Sequence, residues 1–194
     1  EESFYANKFQ NSTNLVSLEE AAKLIEEERN RDESEYMDKE DSGRTARQYI
    51  CEVLGGSSKK NAPLPEIAFS LEKMEEVQLC GIEKILDRGL RYLSTGEIRR
   101  TLLCRALLSS SDLLIVSNPF AGLDVKSRKI FMNLFNKISL TRNLIIVSDR
   151  YEEIPESVNM VLEFKNKTIS FCGTKLSYET KLLQEREAQR FELK

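Results

Sequence analysis

Apolar positions along this chain alternate between two rhythms. Ile98, Leu102, Leu103, Ala106 and Leu107 recur at helical spacing and predict a helix over residues 96–109 with one apolar face. Leu113-Leu114-Ile115-Val116 then runs without a polar break, and residues 143–148 repeat that character. Such runs predict strands of a sheet covered on both faces. Between them, Val125, Ile130, Phe131, Leu134, Phe135 and Ile138 mark the apolar side of a helix over 125–139. Upstream, residues 15–31 open on a short apolar run and continue as a helix, with Leu18, Ala21, Ala22, Leu24 and Ile25 on one face. Residues 45–53 read as a helix capped by Thr45. Residues 66–79 read as another, with Ile67, Leu71, Met74 and Val77 or Gln78 at helical spacing, and 82–86 as a short one. Downstream, 159–164 and 168–171 flank Lys165-Asn166-Lys167 as a hairpin with a polar turn. A charged helix over 175–192 follows. Strands alternating with helices argue an α/β fold.

The polar stretches divide these elements. Residues 32–43 form a charged loop, and 55–65 a linker rich in helix and strand breakers. Gly-Gly-Ser-Ser-Lys-Lys in that linker has the composition of a phosphate loop but not its spacing. The required pattern is GxxxxGK[ST], and five residues after Gly55 stands Lys60.

Composition narrows the class. The 194 residues suffice for one domain with a core. A net charge of -3 gives no electrostatic case for nucleic acid or an anionic membrane. No apolar run approaches the roughly 18 residues of a membrane span. Cys51, Cys80, Cys104 and Cys172 are far apart and form no CxxC pair, so they read as reduced thiols, not as a zinc or redox centre. The first residue is Glu1, without a signal or basic presequence after it, and the sequence is expected to be an excerpt of a longer protein.

Candidate chemistry begins at Ser94-Thr95-Gly96, immediately before the 96–109 helix. Unpaired N–H groups and the positive end of the helix dipole favour an anion there. A small residue lets the backbone approach a phosphate, and a serine hydroxyl adds a donor. Ser94 with Glu97 three residues later also fits a capping box, so capping and phosphate binding both stand.

The order of turn, helix, apolar strand and polar loop resembles the second half of an ATP-binding-cassette (ABC) ATPase domain. Leu93-Ser94-Thr95-Gly96-Glu97 stands where that family has its Leu-Ser-Gly-Gly-Gln signature. Leu113 to Pro119 stands where it has four apolar residues, Asp, Glu and Pro, and Ala121-Gly122-Leu123-Asp124 matches the following loop. The resemblance implies an α/β, RecA-like P-loop NTPase cassette, represented by its distal part without the phosphate-loop half. It also implies a helical signature region over about 18–108, late strands and helices over about 110–175, and a C-terminal helix over 175–194. It implies ATP and Mg²⁺ as cofactors, bound mainly by residues outside this segment.

By the same resemblance, Leu93, Ser94, Thr95, Gly96 and Glu97 contact the γ-phosphate of ATP held by a partner cassette. Ser117 replaces the Asp of the Mg²⁺ shell, and Asn118 replaces the Glu that polarises water. Asp149 falls at the switch-histidine position, and the chain contains no histidine. Asp124 belongs to the loop that couples two sites, and is equally an N-cap for the next helix. Glu19 falls near the glutamine-loop position. Loss of a general base costs about 10²–10⁴-fold in rate, so local hydrolysis is expected to be degenerate.

Within the family the chain is similar to the first cassette of the photorepair-type, molybdate-transport-associated soluble ABC ATPases. The similarity rests on LSTGE, RRTLLCRALL, NPFAGLD, SGRTARQYI, VSLEEAAKLIEEERNRD and the Arg150-Tyr151-Glu152-Glu153-Ile154-Pro155-Glu156 run. That branch implies a second cassette as partner, no membrane insertion and a cytoplasmic location, with an organelle matrix as the alternative. Two other readings stay open: a regulatory cassette without turnover, and an ATPase subunit energising a small-solute permease.

Overall fold

In this computed structural model, residues 12–30, 43–55, 64–109, 111–121 and 123–192 are described, 189–192 as backbone alone. Most of the charged loop expected at 32–43, the Lys59-Lys60 part of the linker, and Gly122 lie outside the described residues.

The main sheet has three parallel strands in the order β1-β2-β3: β1 Thr13–Val16, β2 Leu113–Ser117 and β3 Asn143–Val147. Val16, Val116 and Ile146 lie level across it. β2 and β3 stand where the apolar runs predict them. β1 takes up the apolar opening of the 15–31 run, which the sequence left without an assigned element. The helix α1, Leu18–Asn30, begins only after Ser17. The Ser17 hydroxyl accepts from the Glu20 N–H at 3.2 Å and starts that helix. Pairing with β2 satisfies the backbone of this run, which outweighs local propensity.

All the remaining helical structure before β2 lies in the crossover from β1. α2, Ala46–Cys51, carries the expected Thr45 cap, in a reciprocal capping box with Gln48. The helix expected over 66–79 is two pieces, a 3-10 segment Glu66–Lys73 and α3, Glu75–Cys80, separated by extended Met74. Arg47 supplies a physical reason. Its guanidinium takes the Ala68 carbonyl at 2.6 Å and pairs with Asp87 and Glu72, which diverts a carbonyl from the regular helical ladder. Ala68, Leu71 and Val77 are buried, whereas Ile67 is exposed. α4, Thr95–Leu108, is the long helix of the 96–109 expectation. It buries Thr101 and Cys104 as well as the five apolar residues of its expected face.

A buried ionic cluster joins α1, α2 and α4. Glu28, fully buried, accepts from the Arg44 side chain at 2.6 Å and from the Arg44 N–H at 3.0 Å. Glu52 pairs with Arg44 at 2.5 Å and with Arg105 at 2.6 Å. Both guanidiniums lie over the Tyr49 ring. This pairing accounts for a buried acid on α1, where Leu18 and Ala22 of the expected apolar face are exposed.

α5, Val125–Ile138, buries Phe131, Leu134, Phe135 and Ile138 but leaves Val125 and Ile130 exposed. Phe120 packs edge-on against Phe135, ring centroids 5.7 Å apart, and so anchors the loop after β2 in the core. The sheet is covered on one face among the described residues. Val16, Leu114 and Val116 are buried, while Leu15, Ile145 and Val147 on the other face remain about half exposed, contrary to the two-sided covering expected.

The hairpin is present as β4, Met160–Lys165, and β5, Thr168–Thr174. Its turn residues Asn166 and Lys167 both have positive φ, the two-residue turn that matches strand twist. α6, Lys175–Glu192, packs on it through Tyr178 and Lys181, which both bind the Glu163 carboxylate. Of the four free cysteines, Cys51, Cys80 and Cys104 are buried and Cys172 is exposed.

Candidate functional site

Because β1, β2 and β3 are parallel, their carboxyl ends share one rim. In open α/β sheets this rim is where ligands bind. It gathers Ser17 and Glu19 after β1, Ser117 and Asn118 at the end of β2, and Ser148 and Asp149 after β3. α4 runs back from this rim. Its far end is tied to the start of the sheet by Asn14 to Ser109 at 2.5 Å and by Arg142 to the Ala106 carbonyl at 3.1 Å. Its N-terminal turn therefore stands at the rim, where Gly96 and Arg99 line a small cleft with Val16, Val116, Ala121 and Leu123.

The turn realises the capping reading in full. Ser94 Oγ accepts the Glu97 N–H at 3.3 Å, and Glu97 accepts the Ser94 N–H and hydroxyl at 2.8 Å each. The Ser94 N–H bond, ahead of other causes, holds the Glu97 carboxyl below its usual value. Arg88 pairs with the same carboxylate at 2.9 Å and offsets its charge. Thr95 and Gly96 have no carbonyl within the helix for their N–H groups. Ser94, Thr95 and Gly96 are exposed, whereas Leu93 is buried and serves packing. A Cβ added at Gly96 would meet no atom within 4 Å, and its φ is not positive. Neither conformation nor packing within the described chain requires glycine there.

The strand end is different. Asn118 adopts the left-handed region at φ 47°, and its N–H donates to the Val147 carbonyl at 2.7 Å. Asparagine tolerates this conformation better than most residues. Arg99, which sequence reasoning passed over, lies across this end. Its guanidinium donates to the carbonyls of Ser117 at 3.4 Å, Ala121 at 3.3 Å and Asn118. Burial lowers its pKa. The only advance signal was its place one turn into the helix after Ser94. Asp149 is exposed and stands two residues beyond Val147, the register partner of Ser117. Asp124 is an exposed N-cap that accepts from Ser127 N–H at 3.3 Å. The Ser127 side chain, ahead of this backbone bond, lowers its pKa. Glu19 is exposed in the first turn of α1, and the Ser17 hydroxyl lowers its pKa.

The strand end does not suit Mg²⁺. Ser117 and Asn118 bring no negative charge, the nearest described cation is Arg99, and the described residues hold no cluster of three metal-ligating side chains. The Ser94-Thr95-Gly96 turn and the uncharged Ser117-Asn118 strand end thus occupy one rim, joined by Arg99.

No family model matches the chain. It is 36% identical over 172 residues to the ABC transporter ATP-binding protein ModF of Escherichia coli, covering 87% of this chain and 32% of that one. It is 29% identical over 140 residues to the zinc uptake system ATP-binding protein ZurA of Listeria monocytogenes, covering 71% of this chain and 50% of that one. The chain thus spans about a third to a half of the length of these relatives. Among solved structures, a dimeric bacterial ABC transporter cassette superposes with a TM-score of 0.55 at 16% identity, over 68% of this chain and 56% of that one. With that identity to ModF over 87% of its length, and a fold shared with a solved cassette, the chain belongs to the ABC ATP-binding cassette family.

Proposed function

We propose that this chain supplies the Ser94-Thr95-Gly96 turn to an ATP molecule gripped by the phosphate loop of a second cassette, in a soluble tandem protein. We propose further that its own strand end turns ATP over slowly or not at all. The observation that carries the first part is Gly96, an exposed glycine at a helix start that the described fold does not itself require. Room for a Cβ left vacant beside free N–H groups suits the close approach of an outside phosphate. ATP engaged there would accept from the Thr95 and Gly96 N–H groups and, once Ser94 releases Glu97, from its hydroxyl. Arg88 keeps the Glu97 charge from repelling the phosphate.

The second part rests on Ser117, Asn118 and Asp149. Phosphoryl transfer depends on positioning and on charge stabilisation by metal and carboxylate. Asn118 orients water but cannot take its proton, and Asp149 places negative charge where the family has histidine. The tandem arrangement is supported by ModF, of which the aligned segment is only 32%, leaving length for more than one cassette. The importer reading draws on the likeness to ZurA. A permease captured with the full protein from detergent-solubilised membranes would favour it.

The test uses the full-length protein. Ser94→Arg should lower ATP hydrolysis while leaving nucleotide binding at this cassette's own phosphate loop intact. Replacing the partner cassette's catalytic Glu by Gln should abolish nearly all hydrolysis. Equal loss of hydrolysis and binding in Ser94→Arg would count against action in trans.

A further inference from the structure

We propose that Arg99 is a positioning residue that couples the Ser94-Thr95-Gly96 turn to the 117–121 loop, so that ATP engaged at the turn sets the conformation of the strand end. This rests on the reading of the turn given above.

Arg99 sits on α4 five residues after Ser94, so it moves with the turn as part of one rigid helix. Its guanidinium reaches three carbonyls of one loop, at Ser117, Asn118 and Ala121. Five donors in a fixed fork make arginine suited to holding several acceptors at once, and a lysine ammonium on a flexible stem is not equivalent. No acid pairs with it among the described residues, and burial lowers its pKa. Among the described residues the cation is held by neutral carbonyls, so displacement of either element breaks these bonds together.

The loop is itself poised. Asn118 holds a left-handed φ of 47°, tied on one side by its N–H to Val147 and on the other by its carbonyl to Arg99. Phe120 fixes the loop's middle in the core, so its ends must absorb any movement. One of those ends runs on to Asp124, the N-cap of α5. A pull on α4 by a phosphate at the turn is thereby delivered to the backbone of Ser117 and Asn118 and toward Asp124. Arg142 offers a control, because it also holds a carbonyl of α4, Ala106, but at the opposite end of the helix.

The experiment compares full-length wild type with Arg99→Lys, Arg99→Gln and Arg142→Ala. Hydrogen exchange of the 117–124 peptide is measured with and without ADP and beryllium fluoride, which together mimic bound ATP, along with kcat, KM and binding of a fluorescent ATP analogue. Wild type should gain protection in 117–124 with the mimic bound. Arg99→Lys should lose that gain while kcat, KM and analogue binding stay within about twofold, because the strand end it uncouples is not the site that turns over. Arg99→Gln keeps two amide donors and should fall between. Arg142→Ala should keep the gain. Wild-type protein that binds no ATP analogue refutes the functional reading of the turn and the coupling with it. Wild type that binds ATP, with the same protection gained in both Arg99 variants, refutes the coupling alone. A loss in Arg142→Ala equal to that in Arg99→Lys also refutes it, since the effect would then follow from loosening α4 in general.

Discussion

Asn118 offers the sharpest separation between a working catalytic amide and a residue kept for backbone shape. Its φ of 47° costs an ordinary L-residue about 1–2 kcal/mol, and asparagine less. The loop cannot relax cheaply. Returning Asn118 to a right-handed φ would break the 2.7 Å bond from its N–H to Val147, about 1 kcal/mol, and the charge-assisted bond from Arg99, about 1.5–3 kcal/mol. The strained conformation should therefore persist in variants, and each should bear its own conformational cost. Asn118→Gly is expected within about 0.5 kcal/mol of wild type, and Asn118→Ala about 1 kcal/mol less stable. Asn118→Val should be lower still, because branching at Cβ crowds a positive φ. For a domain of this size 1 kcal/mol moves the melting temperature by about 2–4 °C. Scanning calorimetry of the full-length protein supplies the order, and a coupled-enzyme assay on the same samples supplies the ATPase rate. Stability should fall from Gly to Ala to Val while hydrolysis stays within about twofold. If Asn118→Ala removes most of the hydrolysis without lowering stability, Asn118 orients water in a live site and the reasoning fails.

Three further outcomes follow from other parts of the molecule. Glu28→Ala removes one of the two carboxylates that hold buried Arg44, the other being Glu52, and should cost about 1.5–3 kcal/mol, read as a fall of roughly five degrees in melting temperature; a change under one degree would remove Glu28 from the account of stability. Glu163, held at a pKa of about 2 chiefly by Lys181, Ser170 and Tyr178 against an ordinary 4.5, contributes stability that is present above about pH 4.5 and lost as pH falls toward 2. The melting difference between wild type and Glu163→Gln should shrink over that interval, and a difference that stays constant would refute the assignment. Residues 1–194 expressed alone expose Leu15, Ile145 and Val147 on the sheet and Met160, Leu162, Phe164 and Ile169 on the hairpin, so they should self-associate and bind an apolar dye; a monomeric species with a sharp cooperative melt would contradict this.

The sequence by itself determined the elements whose signals are local. Ser94 with Glu97 and Thr45 with Gln48 are caps written within four residues, and both form as such. The apolar runs at β2 and β3 declare themselves because a short unbroken apolar run bounded by polar residues reads as a strand, even though one face of the sheet stays uncovered among the described residues. The resemblance at LSTGE and NPFAGLD located the rim residues without any coordinates. Only the tertiary structure decided the rest. Residues 15–16 became strand because β2 supplied a partner one hundred residues away, and no local pattern records that. The first half of the 66–79 run became 3-10 where Arg47 holds the Ala68 carbonyl, with extended Met74 after it, and Glu28 became core because Arg44 reached it. Nothing in the sequence singled out Arg99 beyond its place one turn into α4. It became the link between two parts of the rim because a long flexible side chain finds its acceptors only after α4 and β2 have packed.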